Sequence, residues 1–178
     1  MALDLPEPAR ADIVAWRERA LKDRRDLRPL AVEALHVTLV FLGYRPEKEI
    51  GKVASTAFAA LEDLAVPRLA VQDVRAVPPR DPRLFALDLL DADERATAVH
   101  QAASDALAAA KLYRPEKRPF WAHITFARVK RGERRAPAVD APGLPTAPFD
   151  ATDVTLYRSH LSPRGARYEA LERLRLGG

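Results

Sequence analysis

Two short segments of the chain carry the same residue types in the same order. His36 to Thr38 and His123 to Thr125 each consist of a histidine, a β-branched residue and a threonine, and an apolar residue follows each. An imidazole titrates close to neutral pH and can move protons, and a hydroxyl can donate a hydrogen bond to an anion. Each segment therefore offers half of an acid–base site, and the two together would make a complete one.

Both segments are predicted to be strands, because β-branched and large apolar residues dominate them. Side chains two positions apart point to the same face of a strand. His36 then shares a face with Thr38, and His123 shares a face with Thr125, while the apolar residues between them face the core. The sequence by itself does not bring the two strands together.

The repetition favours a catalytic interpretation over an incidental one. A single His-x-Thr is more often an ordinary packed or surface histidine. This chain has only four histidines, however, and two of them lie in matching contexts. The other two are predicted to face solvent, His100 on a helix and His160 beside a turn.

Composition limits the class of protein. A chain of 178 residues fits one domain or two tightly fused lobes. The absence of cysteine excludes disulfides, thiol nucleophiles and cysteine-based zinc sites. No apolar run approaches the ~18 residues of a membrane span, and no secretory signal is visible, so we expect a cytoplasmic protein without a membrane partner. A net charge of +4 suits a polyanionic partner.

A metal site is the competing chemical interpretation of the two histidines. Zinc sites built on histidine typically use a His-Glu-x-x-His helix or clustered carboxylates, and neither histidine lies in such a motif. The glycines form no phosphate-binding pattern either. We therefore predict no metal and no cofactor.

The pattern of apolar residues predicts alternating helices and strands. Helices are expected at 7–22, 46–64 and 91–111. Strands are expected at 2–5, 35–42, 69–77, 84–90, 121–129, 152–161 and 167–174, with the first at a sheet edge. The proline-rich segment 136–148 is predicted to be a loop, and residues 162–165 a turn.

These features resemble the two-histidine (2H) phosphoesterase superfamily, and within it the LigT-like, ThpR-type RNA 2',3'-cyclic phosphodiesterases. Beyond the two motifs, residues 2–6 resemble the family's opening strand and residues 32–35 its approach to the first histidine. Residues 118–120 resemble its approach to the second histidine, and residues 156–168 resemble its closing hairpin. The similarity runs in order along nearly the whole chain.

The resemblance implies a fold. It predicts an α/β (α+β) bilobal phosphoesterase fold, with two antiparallel sheets around a central groove and helices outside. Residues 1–178 would form a single domain of two pseudo-symmetric lobes, each supplying one His-x-Thr strand. We expect a monomer.

The resemblance also implies roles for the motif residues. His36 corresponds to the proton donor to the leaving O3', and His123 to the proton acceptor for water. Thr38 and Thr125 correspond to the threonines that bind the phosphate. The substrate would be RNA with a 2',3'-cyclic phosphate or a 2'-5' linkage, and cyclic phosphate hydrolysis would give a 2'-phosphomonoester.

Three further residues are predicted to bind substrate: Arg118, Arg128 and Phe41. Strict alternation places Arg128 on the face opposite His123, so it reaches the phosphate only if the strand bulges. Two other functions stay open. The same site could act on a small nucleotide-derived cyclic phosphate, or the fold could serve as a non-catalytic RNA-binding module.

Overall fold

A computed structural model of the chain describes residues 1–133, 136–162 and 165–177. Within these residues the protein is an α+β fold with a nine-stranded sheet. The helices are α1 (Glu7–Ala20), α2 (Ile50–Ala59) and α3 (Arg95–Ala109), with single 3-10 turns at Val32–Ala34 and Glu47–Glu49. The strands are β1 (Ala2–Asp4), β2 (Leu27–Pro29), β3 (His36–Thr38), β4 (Arg68–Val77), β5 (Leu84–Leu90), β6 (His123–Val129), β7 (Phe149–Asp150), β8 (Asp153–Ser162) and β9 (Gly165–Arg175).

The resemblance predicts two antiparallel sheets around a groove, and in the described residues all of the strands join in one continuous hydrogen-bonded series. The order is β7-β4-β5-β6-β3-β1-β8-β9, with β2 paired to β6 beyond the end of β3. All of the pairs are antiparallel. The motif strands β3 and β6 pair with each other, which uses backbone groups that separate sheets would leave unpaired at their edges. The same pairing joins the two halves of the chain.

The prediction that residues 2–5 form an edge strand is wrong. β1 lies between β3 and β8, with Leu3 opposite both Val37 and Val154. The apolar character of this strand agrees with an interior position, because Leu3 is completely buried.

Several other elements differ from prediction at their ends. β3 covers only three residues, because beyond it the backbone amides of Leu39 and Val40 bond to the Met1 carbonyl instead. The predicted second helix begins as a 3-10 turn and ends at Ala59. The short strands β2 and β7 have no counterpart in the prediction. Segment 136–148 contains no helix or strand, as expected. The predicted turn at 162–165 includes residues 163 and 164, which lie outside the described residues.

The two faces of the central strands have different roles. One face packs on the helices: Val37 and Ile124 are fully buried, and Trp16 of α1 contacts Phe126 edge-on at 5.1 Å between ring centroids. The opposite face carries the polar side chains of β3 and β6. The core thus packs against the apolar face of the motif strands, opposite the face that carries their polar side chains. None of the described helices is long and apolar enough to cross a membrane.

Candidate active site

The register between β3 and β6 brings the four motif side chains together. Val37 lies opposite Ile124 in this antiparallel pair. His36 therefore lies opposite Thr125, and Thr38 lies opposite His123, all on the face away from the core. The two histidines are diagonal neighbours, about 7–8 Å apart at the backbone.

His123 is held by two contacts from one neighbour. Its Nδ1 lies 2.8 Å from the Trp121 carbonyl oxygen, and its ring stacks on the Trp121 indole with 4.1 Å between centroids and 13° between planes. A carbonyl oxygen can only accept a hydrogen bond, so Nδ1 carries the proton. Nε2 is left as the nitrogen that can exchange protons with a substrate.

His36 lies in a different environment. Tyr157 stacks on it at 5.6 Å and 17°, and Tyr168 meets it edge-on at 4.9 Å. Its Nδ1 is buried without a hydrogen-bond partner among the described residues. Burial lowers the pKa of His36 to about 4, and the nearby Met1 amino group and His123 ring disfavour a charge on His36 further. The ring is therefore neutral at pH 7.

A buried aspartate lies directly across the sheet from each histidine. Asp4 of β1 is opposite His36, and Asp88 of β5 is opposite His123; they are 9% and 5% exposed. Asp4 accepts hydrogen bonds from the hydroxyls of Thr155 and Tyr157, both at 2.7 Å. Arg173 lies 3.5 Å from the same carboxylate.

Asp88 accepts more side-chain hydrogen bonds than Asp4 does. It accepts hydrogen bonds from Trp121 Nε1 at 2.6 Å, Gln72 Nε2 at 3.1 Å and Arg75 Nε at 3.0 Å. Burial disfavours the charged carboxylate, but the bonds from Trp121, Gln72 and Arg75 outweigh it and hold the pKa of Asp88 below its ordinary value. Asp88 is therefore ionised at neutral pH.

Sequence reasoning missed both aspartates, although the sequence contains a signal for them. Residues 2–5 and 86–89 are the same tetrapeptide, Ala-Leu-Asp-Leu. An aspartate in the middle of an apolar strand is rarely buried unless it has partners. The repeat of this tetrapeptide accompanies the repeat of the His-x-Thr motif, and each copy precedes a helix and then a motif strand.

A bulge in β6 places Arg128 on the face of the motif histidines. Thr125 pairs with Ala86, but Ala127 pairs with Phe85, so Phe126 is the extra residue. Phe126 and Ala127 are both completely buried, and the alternation resumes with Arg128 exposed on the opposite face. Arg28 of β2 lies directly across from Arg128. Two arginines thus extend the polar face beyond the motif threonines.

A cavity of about 550 Å³ opens beside His36 and Thr38. Phe41 and Tyr44, from the segment after β3, line it and are 70% and 92% exposed. Leu161, near the end of β8, lines it as well and is 86% exposed. Exposed apolar side chains around a polar site provide surfaces on which a nucleobase can stack or pack. The structure thus places Phe41 beside the motif residues.

The remaining predicted residues lie elsewhere. Arg118 is in the loop before β6, with its side chain 86% exposed and paired to Glu116 at 3.2 Å. The prediction that His100 faces solvent is wrong: its Nδ1 lies 2.8 Å from the Leu39 carbonyl, and its ring stacks on Phe120. This helix face packs against the chain that follows β3. His160 is exposed, as predicted, and lies 2.8 Å from Glu169.

No group of three or more histidine or carboxylate side chains that could hold a metal ion occurs in the described ranges. Each aspartate beside a motif histidine already uses its oxygens for hydrogen bonds. The polar groups of the site that point away from these aspartates are imidazoles, hydroxyls and guanidinium groups. These are groups that bind and protonate a phosphate.

Comparison with known proteins identifies the family of this chain. The family model of the 2'-5' RNA ligase superfamily matches residues 5–163. An RNA 2',3'-cyclic phosphodiesterase of Thermus thermophilus is 30% identical over 181 aligned positions, which cover 99% of this chain and 89% of the relative.

Solved structures show the same fold over the whole chain. A crystal structure of the protein TT0787 of Thermus thermophilus superposes with a TM-score of 0.82 at 27% identity, covering 99% of this chain and 96% of the other. Crystal structures of E. coli LigT complexed with NADP+ and with 3'-AMP each give a TM-score of 0.80 at 25% identity, with the same coverage. By its family model, its full-length relative and its fold, this chain belongs to the 2'-5' RNA ligase superfamily of two-histidine phosphoesterases, as a homologue of LigT and of RNA 2',3'-cyclic phosphodiesterases.

Proposed function

We propose that this protein is an RNA 2',3'-cyclic phosphodiesterase that opens the cyclic phosphate to a 2'-phosphomonoester by acid–base catalysis between two histidines, without a metal. The observation that carries the proposal is the β3–β6 register, which puts two imidazoles and two hydroxyls on one polar face. The activity for which the 30% identical relative is named supports the same reaction.

His123 acts as the base in this mechanism. The Trp121 carbonyl holds its Nδ1–H, so that Nε2 presents a lone pair to the attacking water. As Nε2 removes the proton from water, the oxygen attacks phosphorus and the imidazole becomes a cation. The Nδ1 hydrogen bond to a carbonyl oxygen stabilises that cation.

His36 acts as the acid, donating a proton to O3' as the P–O3' bond breaks. In the free protein its pKa of about 4 leaves the ring neutral at pH 7. A phosphodiester anion bound beside the ring raises that pKa, because an adjacent negative charge favours the imidazolium. Substrate binding is thus coupled to proton uptake at His36, and the acid is charged when the anion is in place.

Thr38 and Thr125 stabilise the charge that develops on the non-bridging oxygens. Each hydroxyl lies across the sheet from the other motif's histidine. Hydroxyl donors between the two rings can keep their hydrogen bonds to the non-bridging oxygens while the phosphorus is five-coordinate in the transition state. Arg128 adds positive charge at one end of this face, where the substrate backbone would lie.

The cavity beside His36 is the proposed site for the terminal nucleoside. Its volume of about 550 Å³ is within the ordinary range for small-molecule pockets, and Phe41 contributes an exposed ring at its rim. A base packed there leaves the 2',3'-cyclic phosphate between the histidines. If an RNA 5'-hydroxyl replaces the water, the same steps create a 2'-5' linkage, which is the ligase direction of the reaction.

The test is hydrolysis of an oligonucleotide ending in a 2',3'-cyclic phosphate, in EDTA, by the native protein and by His36→Ala and His123→Ala. We expect a 2'-phosphomonoester product from the native protein and a loss of ~10²–10⁴-fold in rate from each variant. No turnover by the native protein, or turnover that survives both substitutions, would contradict the proposal.

The size of the cavity gives the small-substrate alternative a specific basis, since it accommodates one nucleoside. Comparing kcat/KM for cyclic mononucleotides and for cyclic-ended oligonucleotides separates the two. We expect the oligonucleotide to react faster, because Arg28 and Arg128 extend the charged face beyond a single phosphate. Salt-sensitive RNA binding with no hydrolysis would instead identify a binding module.

A further inference from the structure

We infer that Asp4 and Asp88 are positioning residues, each of which fixes an aromatic ring that in turn fixes one of the motif histidines. The inference rests on the proposed function for its kinetic consequences. Its structural part stands independently of the reaction, because it concerns the orientation of two imidazoles in the free protein.

The same three-part arrangement occurs around each histidine. On one side, Asp88 accepts a hydrogen bond from Trp121 Nε1 at 2.6 Å, and the indole stacks on His123 at 13° between planes. On the other side, Asp4 accepts a hydrogen bond from the Tyr157 hydroxyl at 2.7 Å, and the phenol ring stacks on His36 at 17°.

The aromatic rings reach the histidines from different parts of the chain. Trp121 is two residues before His123 in sequence, whereas Tyr157 lies on β8, far along the chain from His36. Local sequence therefore does not account for the likeness. What the two halves share is the aspartate on the strand next to the motif strand, directly opposite the histidine.

A buried carboxylate is a costly way to accept one hydrogen bond, so its presence beside each histidine indicates a need for a charged acceptor. Taking a charge out of water is unfavourable before its partners compensate it, and a neutral acceptor would satisfy one indole or phenol donor. Here each carboxylate has an arginine beside it, at 2.8 Å for Arg75 and 3.5 Å for Arg173. A charged acceptor binds its donor more strongly and holds the ring in one orientation.

The bond to Asp4 also keeps Tyr157 in the right state to donate. Burial and the carboxylate together raise the pKa of Tyr157 to about 12, so the phenol stays protonated at any pH at which the protein would work. The ring then presents a constant face to His36. An imidazole packed against a fixed ring has fewer unproductive orientations, and misplacement of a reacting group by about 1 Å can cost ~10²-fold in rate.

The experiment is a double-mutant cycle between Asp88→Asn and Trp121→Phe, with Asp73→Asn as control. Phenylalanine retains an aromatic face for His123 but has no Nε1–H, so it removes the same hydrogen bond that Asp88→Asn weakens. Asp73 lies opposite Asp88 on β4 and also faces Arg75, at 3.7 Å, but it is 58% exposed. The control therefore removes a charge from the same neighbourhood without touching the tryptophan.

We expect each single variant to lower kcat by ~10-fold to 10²-fold with little change in KM, and the double variant to be no slower than the slower single variant. Asp73→Asn should stay within about twofold of the native protein. Multiplying effects in the double variant, or equal effects from Asp73→Asn, would overturn the inference. Tyr157→Phe, which keeps the ring and removes the hydroxyl that bonds to Asp4, is the matching test in the other half.

Imidazole nitrogen chemical shifts supply a second readout that needs no substrate. In the native protein we expect the His123 ring to be a single Nδ1–H tautomer, because Nδ1 bonds to the Trp121 carbonyl. In Asp88→Asn the loosened ring turns away from that carbonyl part of the time, so we expect a mixture with the Nε2–H tautomer. Native-like shifts in Asp88→Asn would overturn the inference even in a folded, active variant. If the native protein hydrolyses no cyclic phosphate, the proposed function fails while these shifts still decide whether the aspartates position the histidines.

Discussion

The two motif histidines lie in different surroundings. The His123 imidazole is hydrogen-bonded through Nδ1 to the Trp121 carbonyl, and its ring centroid lies 4.1 Å from that of the Trp121 indole. The His36 imidazole packs against two tyrosine rings, and its Nδ1 has no hydrogen-bond partner among the described residues. The cavity opens on the His36 side. Two matching sequence segments thus produce one ring held in a defined tautomer and one ring kept neutral by burial. The comparison shows that a repeated motif supplies equivalent groups, and that their surroundings make the groups unequal.

The largest expected effect tests whether the two rings work as one unit. We expect the His36→Ala, His123→Ala double variant to be no slower than the slower single variant, because either loss already removes the concerted proton transfers. Single-turnover rates on a cyclic-ended oligonucleotide measure this. A double variant slower by the product of the two single effects would mean that the two histidines contribute independently to the rate.

The second prediction concerns the buried ring alone. An unfolded chain protonates His36 near pH 6.5, but the folded protein does so only near pH 4. The contribution of His36 to the free energy of unfolding is therefore fully present above pH 6.5, and the free energy of unfolding falls by ~3 kcal/mol as the pH falls towards 4. Urea unfolding of the native protein and of His36→Gln at three pH values, from slightly alkaline to mildly acidic, measures the difference.

In that experiment the native protein should lose more stability on acidification than His36→Gln does, by up to the stated amount. The measurement at slightly alkaline pH serves as the reference, since His36 is neutral in both states there. Parallel stability curves for the two proteins would show that the surroundings of His36 do not suppress its protonation.

A smaller effect is expected from the threonines, and it should be equal in the two halves. Thr38→Val and Thr125→Val keep the shape of the side chain and remove one donor to a phosphate oxygen. Each should lower kcat/KM by ~10-fold to 10²-fold, the range for a hydrogen bond to a charged group. A difference of more than about tenfold between them would show that the halves differ in phosphate binding as well as in proton transfer.

The smallest expected effect separates the two arginines predicted to bind substrate. Arg128→Ala should raise KM for an oligonucleotide by several-fold and reduce the salt dependence of binding by about one charge, because the bulge turns this residue towards the site. Arg118→Ala is the control, since its side chain is exposed and paired with Glu116. Equal effects from both variants would contradict this placement of the substrate backbone.

The residue pattern predicts the structure well where the structure depends on a single strand or helix. Helix α1 follows from the spacing of its apolar residues, strand β5 from a continuous apolar run, and the faces of the His-x-Thr segments from alternation. The pattern fails where contacts with a distant segment determine the position of a strand or side chain. The prediction of an edge position for β1 is wrong because its partners come from residues 36–38 and 154–155, and the prediction for His100 is wrong because its ring bonds to the Leu39 carbonyl.

From the sequence alone one could conclude that the chain carries two equivalent His-x-Thr strands in an α/β protein without cysteine chemistry. Residue types and alternation are local properties, so the sequence determines them directly. Only the tertiary structure decided that the strands pair with each other, that a bulge turns Arg128 to their polar face, and that an aspartate lies beside each ring. Register and burial arise from contacts between segments far apart in the chain, and these contacts make one imidazole different from the other.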